Sequence, residues 1–104
     1  MQECFMASPQ LEDGSTQVAS ELLEMLLLWP CTFKQVKVWL WVARCTYGRQ
    51  RRFCAYSVET ISSDLDIRQD HVQVVVKELL GSRLLWLNDK GHLGIQKDYD
   101  KWLP

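Results

Sequence analysis

The stretch that decides the fold is SVETISSDLDIRQDHVQVVVKELL, residues 57–80. Its first part predicts a short helix that begins at Ser57, because a serine hydroxyl can accept a hydrogen bond from a free backbone N–H at a helix start. The inward residues of this helix are Val58, Ile61 and Leu65. After a turn at residues 66–68, the i, i+3, i+4, i+7 spacing predicts a second helix. Its inward residues are Val72, Val75, Val76 and Leu79. Two helices joined by a tight turn predict a helix-turn-helix.

The segment that follows, LLWLNDKGHLGI at residues 84–95, predicts a β-hairpin. Apolar residues at 85–87 and 93–95 flank a run of turn-forming residues from Asn88 to Gly91. Upstream of the helix-turn-helix, weak alternation at residues 53–56 predicts one more short strand. These elements in this order predict a mostly α protein with a small β wing, which is a winged helix-turn-helix.

An amphipathic helix is predicted near the N-terminus of this domain. Ser15 or Thr16 can cap it, it runs to about Trp29, and Pro30 ends it. Its apolar face consists of Val18, Leu22, Met25, Leu26 and Trp29.

The next helix is predicted to begin at Thr32 as its cap and to end at Gly48, where a left-handed backbone is easily tolerated. At 100° per residue, one wide face is expected to form the core: Val36, Trp39, Leu40, Val42, Ala43 and Tyr47. The opposite side carries a smaller apolar patch of Val38, Trp41 and Cys45 among Lys34, Lys37 and Arg44. We interpret this patch as a dimer or partner interface. The alternative is that the first helix covers it within one chain.

Length and composition predict one globular domain. The chain has 104 residues, of which 47% are hydrophobic and 24% charged. Residues 1–14, with Pro9 and Gly14, predict a loose N-terminal arm, and residues 15–104 form the winged-helix domain. The longest apolar run, Met25 to Trp29, is far shorter than the ~20 residues that cross a bilayer. We therefore expect a cytoplasmic protein without a membrane partner.

Cysteine and histidine spacing gives no support for a metal site or an enzyme. The sequence contains no CxxC pair, no glycine-rich phosphate loop and no nucleophile motif. We therefore expect a protein that is not an enzyme and has no metal, no cofactor and no small-molecule substrate. The cysteines are expected to be reduced thiols, Cys4, Cys31, Cys45 and Cys54.

Charge is distributed unevenly along the chain. The formal net charge is −1, yet residues 1–30 contain no Lys or Arg, so all 12 basic residues lie in the rest of the chain. The densest basic run comprises Arg44, Arg49, Arg51 and Arg52. Phosphate would suit this run, and the alternative is an ordinary solvated loop.

The outward face of the second helix of the helix-turn-helix predicts base contacts. Gln69 and Gln73 can each donate to and accept from the edge of adenine, while Arg68 and Lys77 can hold phosphates. Lys90 on the wing can reach a flanking groove. The alternative is a solvated helix face. The predicted DNA contacts are Arg49, Arg51, Arg52, Arg68, Gln69, Gln73, Lys77 and Lys90.

Several motifs together resemble the N-terminal domain of lambdoid-phage replication protein O. They are LEDGSTQVASELLEMLL at 11–27, TFKQVKVWLWVARCTYG at 32–48, the helix-turn-helix, and DKWLP at 100–104. In the family pattern, an acidic DDG corresponds to Asp13-Gly14 and an ELLE helix to residues 21–24. The helix end R.TYG corresponds to Arg44 with Thr46 to Gly48, and the terminal EW corresponds to Lys101-Trp102. The resemblance implies a homodimer that binds repeated sites in double-stranded DNA at a phage origin, in the bacterial host cytoplasm.

Three features keep a second function open, namely the missing C-terminal region of the family, the near-zero net charge and the acidic first helix. Members continue into a C-terminal region that recruits the helicase-loading machinery, whereas this sequence ends at Pro104. It is therefore either an excised domain or a free-standing relative. Where the family often has WNKK, this chain has RQRR at residues 49–52. The alternative function is a free-standing phage winged-helix protein that binds and inhibits a host protein, such as a defence complex, with little or no DNA binding.

Overall fold

A computed structural model describes residues 14–103, so the predicted arm, apart from Gly14, lies outside the described residues. The helices and strands follow in the order α1 (Ser20–Leu28), α2 (Phe33–Thr46), α3 (Val58–Leu65), α4 (Gln69–Gly81), β1 (Leu85–Leu87) and β2 (Leu93–Ile95). Short 3-10 helices cover Tyr47–Arg49 and Tyr99–Lys101. This mostly helical architecture with a two-stranded antiparallel sheet confirms the winged-helix prediction. Within residues 14–103, no helix is long and apolar enough to cross a membrane.

The helix-turn-helix forms as the sequence predicts. The Ser57 hydroxyl caps α3 by accepting from the Thr60 backbone N–H at 3.1 Å. Asp66 ends the helix in the left-handed conformation, with φ of 54°. The four predicted inward residues of α4 are all buried: Val72, Val75, Val76 and Leu79. Burial of this stripe fixes which side of α4 remains outside.

The wing is a hairpin with a third, single-residue partner. Leu85 pairs with Ile95 and Leu87 with Leu93. On the other side of β2, Cys54 and Leu93 exchange two backbone hydrogen bonds of 2.8 and 2.9 Å. The predicted strand at residues 53–56 is therefore reduced to one bridge, and β2 lies between β1 and the segment that contains Cys54.

The start of α1 differs from the prediction. The helix begins at Ser20 after Ala19, which makes no side-chain cap, so the predicted cap at Ser15 or Thr16 is wrong. The Thr16 hydroxyl instead lies beside Gly48, where an added Cβ would be only 2.7 Å from its oxygen. The chain from 14 to 16 is thus held against the end of α2 rather than wound into α1. Leu28 is the last residue of α1, shortly before Pro30, as predicted.

The start of α2 is a capping box. The Thr32 hydroxyl accepts from the Gln35 backbone N–H, and the Gln35 side chain accepts from the Thr32 backbone N–H. The predicted left-handed end at Gly48 is wrong, because the 3-10 helix continues the chain to Arg49. The left-handed residue is Gln50, with φ of 54°.

The predicted core face of α2 is confirmed at Trp39, Val42 and Ala43, which are buried, but the prediction is wrong for Leu40 and for the exposed patch. Leu40, assigned to the core, is 46% exposed, whereas Val38 and Trp41, assigned to an interface, are buried and Cys45 is half-buried. The reason is that α2 is central: α4 and β2 pack on it, and so does α3. The Trp41 indole N–H donates to the Asp64 carboxylate at 2.8 Å, near the end of α3. Val38, Trp41 and Cys45 therefore do not form an exposed interface, and α3 supplies cover that we expected from the first helix.

Candidate nucleic-acid interface

The exposed side of α4 presents a stripe of polar side chains. Gln69, Gln73 and Lys77 are all exposed, and their four-residue spacing places them about 40° apart around the helix. Two amides that can both donate and accept are thus followed by an ammonium group. This set of groups can read base edges and hold a phosphate. Asp70 and Val74 lie beside the stripe and are exposed as well.

The start of α4 carries a weak ion pair. Arg68, the residue before the helix, donates to the Asp70 carboxylate at 3.1 Å, with side chains that are 75% and 61% exposed. An exposed pair of this kind contributes roughly 0–1 kcal/mol. The guanidinium of Arg68 can therefore exchange this partner for a phosphate at little cost.

The basic segment, which we define as residues 49–52, is fixed by its backbone while its arginines are exposed. The Arg51 backbone N–H donates to the Thr46 carbonyl at 2.9 Å, and that of Gln50 donates to the Tyr47 carbonyl at 3.1 Å. At Gly94 of β2, an added Cβ would lie 2.7 Å from the Arg52 carbonyl oxygen. Glycine at this position lets the basic segment approach the wing.

The tip of the wing exposes Lys90. The Asn88 side chain organises the turn by accepting from the backbone N–H groups of Lys90 and His92 at 2.9 and 3.0 Å. Gly91 has φ of 75°, a conformation that L side chains rarely adopt. Asp89 is exposed next to Lys90 and lowers the positive charge of the tip.

The eight predicted DNA contacts therefore form three groups that belong to different elements. One group lies on α4 and the residue before it, one on the tip of the wing and one on the basic segment, and all eight side chains are exposed. The basic segment is joined to the wing through Cys54, and α4 leads directly into β1. Among residues 14–103, no ion pair links one group to another. The role of each group at DNA stays a prediction.

Sequence reasoning missed the junction between α2 and α4. The Lys34 ammonium group donates to Nδ1 of His71 at 2.7 Å, and the Gln35 amide donates to the Glu78 carboxylate at 3.3 Å. These contacts hold α4 in its orientation across α2. Their partners are 37 and 43 residues apart in the chain, so no local pattern could have revealed them.

The Cys54 thiol near the basic segment is not activated. Burial is the larger cause that raises the pKa of Cys54 to about 11, and the neighbouring Cys45 thiol is the second cause. The thiol is therefore protonated at neutral pH and is a poor nucleophile. Among residues 14–103, no group of three or more His, Cys, Asp and Glu side chains is arranged to hold a metal ion.

Comparison with known proteins places these features in a family. A family model described as bacteriophage replication protein O matches residues 7–102, which is most of the chain. No curated protein and no solved structure gives a significant match.

Proposed function

The chain belongs to the bacteriophage replication protein O family, and from this premise we propose that it binds repeated duplex DNA sites at a phage replication origin as a homodimer. A DNA-binding role in phage replication follows from the family. The observation that carries the finer proposal is the exposed stripe of Gln69, Gln73 and Lys77 on the second helix of the helix-turn-helix.

The proposed mechanism assigns α4 to the major groove. A glutamine amide can bond to N6 and N7 of adenine, and each good bidentate pair contributes about 1–3 kcal/mol of discrimination. Lys77 and Arg68 then contact phosphates on either side of the base readers. The wing tip and the basic segment supply further cations through Lys90, Arg51 and Arg52, which strengthen binding without selecting a sequence. The site of action is the host cytoplasm.

A second copy of the chain is proposed to dock on the end of α1. Leu27 and Leu28 are 83% and 79% exposed, and Phe33 at the start of α2 is 71% exposed. Large apolar side chains with this exposure are typical of interaction surfaces when they cluster. Two-fold pairing of the protein would match two inverted half-sites within each repeat. This surface replaces the buried Val38 and Trp41 in the dimer hypothesis.

One observation favours the alternative function as a binder of a host protein. A mostly apolar groove of about 420 Å³ runs between the start of α2 and α4, and it includes Phe33, His71 and Val74. Val74 is 54% exposed on α4 itself. Val74 by itself suits a thymine methyl group, whereas the apolar groove as a whole suits a protein partner.

Selection from a random duplex library tests the proposal and separates the two functions. Purified protein should enrich a repeated motif at low salt. Gln73→Ala should then relax the preference at one or two positions, because one base reader is lost. Gln17→Ala is the matched control, since Gln17 is exposed outside the helix-turn-helix, and it should select the same motif as the parent. A library that returns no motif would contradict origin binding and favour the alternative.

A further inference from the structure

A cavity of about 320 Å³ lies at the end of α2, and none of its lining residues belongs to α4. One wall is the segment from Gly14 to Thr16, and the other consists of residues at the end of α2 and in the 3-10 helix that follows it. Besides that segment, the lining residues are Arg44, Cys45, Gly48 and Arg49. Arg44 belongs to none of the three groups of predicted DNA contacts.

The electrostatic character of this cavity is positive. Arg44 and Arg49 contribute two guanidinium groups, and none of the lining residues is acidic. Among residues 14–103, neither arginine forms an ion pair. Two like charges on one cavity repel each other, so an anion between them would remove an unfavourable interaction.

Two hydroxyl groups add neutral hydrogen-bond donors to the two arginines of the cavity. Ser15 and Thr16 line the cavity and carry hydroxyl groups that can donate hydrogen bonds. The segment can close on α2 because residue 48 is glycine, since an added Cβ would lie 2.7 Å from the Thr16 hydroxyl oxygen. Guanidinium groups combined with hydroxyls match the several acceptor oxygens of a phosphoryl group.

We propose that this cavity binds a phosphoryl group, with Arg44 and Arg49 as the charged donors and the Ser15 and Thr16 hydroxyls as neutral donors. The inference rests on the proposed function where the phosphoryl group belongs to a DNA strand, because Arg49 is also a predicted DNA contact. A free phosphate or a nucleotide offers the same chemistry. The shared requirement is a tetrahedral anion with at least two non-bridging oxygens that accept hydrogen bonds.

Titration with inorganic phosphate, followed by backbone amide NMR, tests the proposal on the full chain. Chloride at the same ionic strength is the reference salt. Phosphate should shift the amide resonances of Gly14, Thr16 and Gly48 in a saturable manner, whereas chloride should not. Shifts spread evenly over all arginine-containing segments, or equal shifts with chloride, would overturn the proposal.

Three variants sharpen the result. Arg44→Gln should weaken phosphate binding roughly tenfold, because one charged donor is lost. Arg83→Gln removes the same charge between α4 and β1, at an exposed residue outside both sites, and should leave phosphate binding unchanged. Gly48→Ala should also weaken binding without changing charge, since the new Cβ displaces Thr16. Equal weakening by Arg44→Gln and Arg83→Gln would mean that only the overall positive charge attracts phosphate and would contradict a defined site.

Duplex DNA, used as the second ligand, identifies the source of the phosphoryl group. If DNA shifts the same amides and inorganic phosphate competes with it, the group is a backbone phosphate. If only free phosphate shifts them, the ligand is a small molecule; both results support the cavity. Loss of DNA binding in Arg68→Gln with phosphate binding retained separates this site from the helix-turn-helix. Phosphate binding that fails while sequence-specific DNA binding persists would reject the cavity and leave the proposed function intact.

Discussion

Leu40 and Trp41 are neighbours in the chain with opposite environments. Trp41 is 6% exposed and its indole N–H bonds to Asp64, whereas Leu40 is 46% exposed. Trp41→Asp should therefore unfold the protein or lower its stability by several kcal/mol (roughly), because a carboxylate would be buried without a partner. Leu40→Asp, the matched control, should stay folded with little change in melting temperature. Thermal melting of both variants measures this, and a folded Trp41→Asp protein would contradict the packing of α2.

The error at these two residues shows what a helical wheel omits. The sequence predicts α2 as a helix with one core face, but α3, α4 and β2 pack on different sides of it. Periodicity ranks positions around one helix and contains no information on how many neighbours that helix has. The partner of Trp41 is 23 residues away in the chain, so its burial depends on tertiary structure.

The Cys54 thiol makes stability depend on alkaline pH. Burial raises its pKa from 9.0 to about 11, so the folded state favours the neutral thiol. Its contribution is fully present below pH 9 and is lost as the pH rises from 9 to 11, where the unfolded chain releases the proton first. The melting temperature of the parent should fall more steeply over this interval than that of Cys54→Ala. Identical slopes for the two proteins would contradict this assignment.

At the scale of elements, local signals explain which boundaries could be predicted. The capping box at Thr32 involves only residues three apart, so the sequence predicts the start of α2 correctly. The start of α1 could not be found in this way, because Thr16 contacts Gly48 at the end of another helix. The contact between Thr16 and Gly48 also explains why the sequence did not predict the cavity that these residues line. The exposed stripe on α4 could be predicted, because the buried valines of α4 fix which side of the helix faces outward.

Two cap substitutions test these element boundaries. Thr32→Ala should lower the free energy of unfolding by about 1 kcal/mol, because it removes the capping box of α2. Ser15→Ala should change it by less than about 0.5 kcal/mol, since Ser15 is exposed and caps no helix. Urea denaturation followed by circular dichroism measures both. A larger loss for Ser15→Ala than for Thr32→Ala would restore the helix start predicted from the sequence.

At the scale of the whole molecule, the exposed end of α1 predicts self-association. The double variant Leu27→Asp, Leu28→Asp should be a folded monomer, because both side chains are exposed in one chain and would be buried only between two. Sedimentation should show a dimer for the parent and a monomer for this variant at the same concentration. Leu87→Asp is a control, as Leu87 is an exposed leucine on strand β1 of the wing, and it should remain dimeric. A double variant that stays dimeric would place the interface elsewhere.

Duplex DNA binding is proposed to depend on exposed cations of three groups, which lie on α4, the wing tip and the basic segment. The most direct measurement is the affinity for a duplex that carries the selected repeats, as a function of salt concentration. Each phosphate that the protein neutralises contributes about −0.9 to the slope of log affinity against log salt. Arg51→Ala, Arg52→Ala should lower the affinity for every sequence alike and make the slope less negative by up to about 2. A parent protein that binds no duplex at low salt, or a slope near zero, would contradict the account.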